Sequence, residues 1–340
     1  MSLLPPLSPW QQRAYTQAAE AMTAGHFGHA TLIAGPALLG KRLLAEHLAR
    51  RVLCQAPRPD GEPCGNCRSC TLFAARSQME ALEVRPDGTP AHPWGHSAHP
   101  DLLFLGYEIN QKTGKPRAEI VIEQVRALTG KMGLTSQLGG AQVVIVDPAD
   151  AVNWSAWNAI LKTLEEPQPG RYLWLLASSP AQLPATIRSR CQRLELRLPP
   201  RAEALDWLRQ RGHAPALAEE ALDAARGHPG LADAWAAGDG LVLRRDAVND
   251  AQALQRGQGE ATEVAQRWVA DGRAAERLRH LAEFALREAV GLTDPAATRT
   301  LAARFDAANR ARELLNTTVR ADLVVVEALL AWRTGPEPGN

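Results

Sequence analysis

The sequence predicts an α/β parallel sheet of the P-loop NTPase-like kind, interrupted by a metal-binding insertion and followed by an all-helical remainder. Three observations predict it. Residues 29–34 form a short β run that enters Gly35-Pro36-Ala37-Leu38-Leu39-Gly40-Lys41-Arg42, and a helical pattern starts at once behind it. Strand, glycine-bearing loop and helix in that order are the context a phosphate-binding loop demands. Apolar runs at 142–146 and 172–177 read as strands buried on both faces of a parallel sheet, and they alternate with helix-patterned stretches. Beyond Pro199-Pro200 the chain is rich in Ala, Leu, Arg and Glu, punctuated by Gly and Pro, and almost all of it is helix-forming.

Each element follows from its own pattern. Residues 41–54 place Leu44, Leu48 and Val52 on one helical face. A cysteine-bearing segment interrupts there, and residues 77–100 form a connection containing Pro, Gly and His. His99-Pro100-Asp101-Leu102-Leu103-Phe104-Leu105 begins the next strand. Residues 110–117, with Lys112, Gly114, Lys115 and Pro116, read as a turn whose cations are solvated. Ile120-Val121-Ile122 leads into a helix near 123–132, and a helix at 154–165 stops at Pro167. The strand at 172–177 ends in Ser178-Ser179, and Leu194-Glu195-Leu196 is extended. Residues 201–240 fit a small three-helix unit and 241–332 a larger bundle, with no repeat at a solenoid period.

Composition sets the outer bounds. The 340 residues are enough for two or three domains. Lys+Arg number 38 and Asp+Glu 37, a net charge of +1, so any contact with nucleic acid is local or shared with partners. A hydrophobic content of 45% with 22% charged residues is that of a globular chain. Residues 1–10 carry Pro5, Pro6 and Pro9 without an apolar core, which argues against a secretory signal. No run approaches the ~18 apolar residues of a membrane span. The expectation is a soluble, cytoplasmic protein with no membrane partner.

The chemistry of the loop is altered. In G-x-x-x-x-G-K-[ST] the glycines let backbone N–H groups close around phosphates, the lysine reaches their oxygens, and the last hydroxyl binds Mg²⁺. Gly35, Gly40 and Lys41 fit, but Arg42 stands at the hydroxyl position and has no acceptor atom for a metal. Leu38 puts a Cβ where the loop lies closest to phosphate. Residues 142–147 are a Walker B shape ending in Asp147, whose carboxylate would help hold the Mg²⁺ shell. Pro148 follows, where a catalytic glutamate orients water in active NTPases. Two separate lesions, at the metal and at the water, predict that the chain does not hydrolyse ATP by itself. Lys41 is expected either to contact a phosphate or to fill an empty loop as a solvated cation. Asp147 and Asp150 either hold residual Mg²⁺ or cap the following turn.

Four of the five cysteines, Cys54, Cys64, Cys67 and Cys70, give C-x9-C-x2-C-x2-C. A C-x-x-C knuckle lets two thiolates reach one ion, and Gly61, Pro63 and Gly65 supply tight turns, so structural Zn²⁺ is expected. A ferredoxin-type cluster would want its fourth cysteine at position 74, which is Ala74. A zinc module that reads nucleic acid would want several cations, and Arg68 is the only one between Cys64 and Cys70. Disulfides are disfavoured in a cytoplasmic protein. Cys191 reads as a buried apolar residue, and Trp154 and Trp157 as packing residues on one helix. No carboxylate constellation for nucleotidyl transfer is recognisable.

These residues also carry a resemblance. Gly35-Pro36 with Gly40-Lys41, the four-cysteine insertion, His99-Pro100-Asp101, Asn158-Ala159-Ile160-Leu161-Lys162-Thr163-Leu164-Glu165-Glu166-Pro167 and Ser189-Arg190-Cys191 occur in one order. Together they resemble the AAA+ clamp-loader subunits of bacterial DNA polymerase III over most of residues 1–200. A weaker likeness continues around Leu314-Leu315-Asn316 and Glu327-Ala328-Leu329-Leu330. Within that family the two lesions look like the non-hydrolysing branch rather than the gamma/tau ATPases. In Gly227-His228-Pro229-Gly230-Leu231-Ala232, Leu231 occupies or adjoins the position of a sensor arginine.

The resemblance implies an AAA+ domain over 1–198 with a four-cysteine zinc module at 54–70, a helical lid over 199–240 and an all-α collar over 241–335. It implies a five-membered arc with gamma/tau and delta clamp-loader subunits, acting on a sliding clamp and primer-template DNA. Arg190 would then enter a neighbouring subunit's ATP site as an arginine finger; otherwise it is a surface ion-pair residue. The alternative is a divergent AAA+ subunit that itself binds and slowly hydrolyses ATP.

Overall fold

Five strands, four of them marked in the sequence by a run of apolar residues, meet in one parallel sheet. The computed structural model describes residues 4–77, 84–86, 88–110, 114–166, 168–315 and 317–333. Lys112, Pro167 and Asn316 lie outside the described residues. The chain divides into two compact units, Met1–Glu203 and Ala204–Asn340.

The first unit begins with α1 (Pro9–Thr23), β1 (Ala30–Ala34), α2 (Lys41–Leu53) and α3 (Arg68–Ala74). Two-residue strands β2 (Arg76–Ser77) and β3 (His96–Ser97) pair antiparallel, apart from the main sheet. Then come β4 (Leu102–Leu105), α4 (Ile122–Met132), β5 (Gln142–Val146), α5 (Trp154–Glu165) and β6 (Arg171–Ala177). The single turn α6 (Ala185–Arg188) and β7 (Gln192–Glu195) complete it. The sheet order is β4-β5-β6-β1-β7, with every neighbouring pair parallel.

The pleat explains why β5 is apolar throughout. Successive side chains point to opposite faces, and both faces of this strand are covered. Val144 and Val146 join Val125 and Leu128 of α4 and Trp157 and Ile160 of α5 in one core. Val143 and Ile145 are fully buried on the other side, where α2 lies against β1, β5 and β6. The start of α5 is fixed by Asn153, whose side-chain oxygen accepts the Ala156 N–H at 3.0 Å. Trp157 is core, whereas Trp154, the first residue of that helix, is 72% exposed.

The second unit is helical, and α7 (Arg201–Gln210) leads into it. It continues with α8 (Pro215–Ala224), α9 (Pro229–Ala237), α10 (Gly240–Gln255), α11 (Ala261–Ala270), α12 (Ala274–Ala289), α13 (Pro295–Leu314) and α14 (Ala321–Arg333). Proline at the first position of α8, α9 and α13 presets the backbone where no N–H partner is needed. Leu208, Leu222 and Trp235 centre one apolar cluster, and Trp268, Leu281, Leu329 and Trp332 centre another. No helix among the described residues is long and apolar enough to cross a membrane.

Candidate functional site

Because β5, β6 and β1 are adjacent and parallel, their C-terminal ends bring Asp147, Ser178 and the 35–41 loop to one edge of the sheet. The N-terminal helix closes on that loop. Trp10 Nε1 donates to the Leu39 carbonyl at 3.1 Å, and Gln11 Nε2 donates to the Gly40 carbonyl at 2.8 Å. Gly40 has φ +79°, and a Cβ there would lie 1.9 Å from Gln11 Nε2. A Cβ on Gly35 would lie 2.5 Å from the Leu196 carbonyl oxygen. Leu38 adopts φ +62° and is 55% exposed.

Lys41 is buried, which corrects its reading as a solvated cation. Its ammonium donates to Gly35 O at 2.7 Å, Pro36 O at 2.9 Å and Ser178 Oγ at 3.0 Å. An ammonium has three donors, and here all three are engaged. Burial lowers its pKa to about 8, against the pull of Asp147 and Asp150 and with the push of Arg85.

Arg42 is likewise turned inward. Its Nε donates to Glu46 Oε1 at 2.8 Å, its Nη1 to Asp147 Oδ2 at 3.2 Å and its Nη2 to His92 Nδ1 at 2.8 Å. The guanidinium lies 3.9 Å from the centre of the Phe104 ring. Arg85 Nη2 reaches the same Asp147 oxygen at 2.5 Å, and Arg76 Nη1 reaches Glu46 Oε2 at 2.6 Å. Three guanidiniums therefore share two buried carboxylates. His92, accepting on Nδ1, is neutral; burial first and then Arg42 and His96 push its pKa down to about 3. Asp150 neither joins this network nor caps the turn that follows it. Its oxygens accept the N–H groups of Ser178 at 2.6 Å and Ser179 at 3.1 Å, closing the end of β6.

The four cysteines converge: Cys54, Cys64, Cys67 and Cys70 place their sulfurs within 4.8 Å of one another. Cys54 Sγ lies 3.7 Å from Cys64 Sγ and 3.9 Å from Cys67 Sγ. Tetrahedral Zn–S bonds of about 2.3 Å require sulfurs about 3.8 Å apart, so the set fits such an ion. Backbone N–H groups of Cys64, Cys67 and Cys70 donate to Cys54, Cys64 and Cys67 sulfurs at 3.4, 3.3 and 3.4 Å, as thiolates would favour. A polar chain ties this module to the sheet. The Asp101 N–H donates to His99 Nδ1 at 3.1 Å, which leaves the proton on Nε2 to donate to Ser69 Oγ at 2.8 Å. Ser69 in turn donates to the Leu53 carbonyl. Asp101 accepts from Ser136 Oγ and from the N–H groups of Gln137 and Leu138.

Arg190, just past α6, is apart from both. Its Nη1 donates to the Thr186 carbonyl at 2.9 Å and its Nη2 pairs with Glu165 at 2.8 Å, with 38% of the side chain exposed. Cys191 is half-buried, and burial raises its thiol pKa to about 11. Leu231 is buried in α9. Of the inward-facing groups, Glu46, Arg76, Arg85 and His92 escaped the sequence reading. Only the Arg42–Glu46 pair, spaced i,i+4 on a helix, carried a local signal.

The sequence profile of the family described as "DNA polymerase III, delta subunit" matches residues 10–200. A relative from Pseudomonas aeruginosa named "DNA polymerase III subunit delta'" is 38% identical over 262 residues, covering 76% of this chain and 70% of the relative. The chain belongs to the DNA polymerase III delta-prime family. Two further delta-prime relatives agree. The one from Haemophilus influenzae is 35% identical, covering 60% of this chain and 54% of the relative. The one from Escherichia coli is 34% identical, covering 69% of this chain and 63% of the relative. The chain thus spans less than two thirds of the length of these last two delta-prime proteins.

Proposed function

We propose that this chain is a non-hydrolysing AAA+ subunit of a clamp loader, one that supports ATP-dependent loading of a sliding clamp onto primed DNA without turning over nucleotide itself. The observation that carries this reading is the Arg42–Asp147 ion pair. In a working P-loop site a metal bridges the hydroxyl after the lysine and the Walker B carboxylate. Here a guanidinium stands at the first position and is bonded to the second. Pro148 supplies no group to orient water, and Lys41 is turned onto its own loop.

Arg190 is the group we assign to catalysis in trans. Its guanidinium is half-exposed and fixed at two points, by Thr186 O and Glu165. Five N–H donors leave a fork for the γ-phosphate oxygens of a neighbouring gamma/tau subunit. Arginine fingers contribute about 10³–10⁵ in rate in other NTPases. Cys54, Cys64, Cys67 and Cys70 would hold a structural Zn²⁺, whose role is to fix the 54–70 loop against α3. Residues 199–240 would act as lid and 241–335 as the collar that meets the gamma/tau and delta subunits. Primer-template DNA and the clamp would be met through that assembly.

Reconstituting the complex with Arg190→Ala tests this. Assembly should be intact, and ATPase stimulated by clamp and DNA should fall by about tenfold or more. Full ATPase in an assembled mutant complex would reject the role of Arg190. Mg²⁺-dependent turnover by the isolated chain, lost in Lys41→Ala, would support the divergent-ATPase reading instead.

A further inference from the structure

We propose that Arg42 and Arg85 together are a resident substitute for a divalent cation on Asp147, so that the loop is held shut by the chain's own guanidiniums rather than dismantled. The proposal deepens the non-hydrolysing reading above and rests on it. One oxygen, Asp147 Oδ2, receives both Arg42 Nη1 at 3.2 Å and Arg85 Nη2 at 2.5 Å. Two unit charges converge on one carboxylate oxygen, as the double charge of a metal would.

Neither guanidinium is a loose surface cation. Arg42 is held from three further sides, by Glu46, by His92 Nδ1 and by the Phe104 ring. Arg85 arrives from the excursion between β2 and β3, whose base is the two-residue ladder Arg76↔Ser97 and Ser77↔His96. The same base delivers Arg76 to Glu46, and Arg76 Nη1 also donates to the Gly95 carbonyl at 3.3 Å. The ladder and the excursion together supply two guanidiniums, Arg76 and Arg85, and the His92 imidazole to the groups around Arg42. Glu46 and Asp147 side chains are only 1% and 8% exposed. Carboxylates so buried are tolerated only when paired, and the pairing here needs no metal.

The closure is then electrostatic and reversible by substitution. Arg42→Ser restores a hydroxyl beside Asp147, and Arg85→Gln removes the second cation while keeping a polar side chain. The experiment is a fluorescence titration of the full, zinc-loaded chain with mant-ATP, with and without added Mg²⁺ and with no chelator present. The parent should give no saturable signal into the millimolar range. The Arg42→Ser/Arg85→Gln variant should bind saturably, about tenfold more tightly with Mg²⁺ than without it. A cooperatively folded double variant that stays blind to Mg²⁺–mant-ATP overturns the proposal and leaves the non-hydrolysing reading standing. Saturable Mg²⁺-dependent binding by the parent overturns the proposal, and turnover of the bound nucleotide would overturn the non-hydrolysing reading as well. Should the double variant not fold, Arg85→Gln alone decides: added Mg²⁺ should raise its melting midpoint but not the parent's, and no such difference overturns the proposal.

Discussion

Glu46 is where the buried charge network is most exposed to a single change. The residue is 1% exposed, and its two oxygens meet Arg42 Nε at 2.8 Å and Arg76 Nη1 at 2.6 Å. Glu46→Ala leaves both guanidiniums in place, Arg76 with 4% of its side chain exposed and Arg42 with 11%, and removes one of the two anions that offset them. Removing one partner of a buried pair costs about 3–5 kcal/mol, because the other charge stays desolvated. For a unit of this size 1 kcal/mol moves a midpoint by about 2–4 °C, so the first unit should melt roughly 10 °C earlier. Calorimetry, with hydrogen exchange read on the amides of α2 and β5, separates that transition from the second unit's. Glu46→Leu/Arg76→Leu removes an anion and a cation together and should be more stable than the sum of the single losses predicts. A loss below about 1 kcal/mol for Glu46→Ala, the worth of a surface ion pair, would show that the Glu46 pairs are not energetically buried, as would strict additivity in the double variant.

The other predictions concern the metal and the lysine. Elemental analysis should find near one Zn²⁺ per chain, and Cys67→Ser should lower thermal stability, with lost hydrogen-exchange protection concentrated at residues 54–76. Equal folding of the metal-free chain would remove the structural role. Lys41 predicts an alkaline trend. Its folded pKa of about 8 lies below the ordinary 10.5, so between those values the unfolded chain binds more protons. The contribution of Lys41 to stability therefore rises with pH across pH 8 to 10.5, by about 3 kcal/mol in all. Lys41→Met should abolish that part of the slope in urea titrations, and parallel curves for parent and variant would contradict it.

How much of this was legible in the sequence depends on the range of the interaction. The central strands β1, β5 and β6 were, because burial on both faces leaves an apolar run, whereas β7, exposed at three of its four residues, left only Leu194 as a sign. The lesion at Arg42 was also legible, being a departure within one eight-residue motif. Its consequence was not, because Arg76 and Arg85 return to the loop only after the cysteine module has intervened. Residues 77–100 read as a connection, and nothing local distinguishes Arg85 from a solvated cation. Asp150 shows the same limit. A carboxylate after a strand suggests a cap on the next turn, yet it closes the end of β6, which requires knowing that β5 and β6 are neighbours. Trp154 and Trp157 are three residues apart, but side chains at a helix start lean past its first turn, so Trp154 remains exposed while Trp157 is buried.

Gly35, Gly40 and Lys41 stand beside Arg42 for a physical reason that needs no nucleotide. A side chain at Gly35 would strike the Leu196 carbonyl, and one at Gly40 would strike Gln11. Lys41 satisfies two loop carbonyls and the Ser178 hydroxyl at the end of β6. These residues close the sheet edge over the N-terminal helix, and replacing any of them would disturb packing before it disturbed binding. A hydroxyl at position 42 has no such second duty. Once arginine stands there, Glu46, His92 and Asp147 give it four contacts with the Phe104 ring included, and a return to serine would leave two buried carboxylates short of a cation. The one position of the motif that departs from its pattern is thus the one whose side chain has found its own set of partners in the fold.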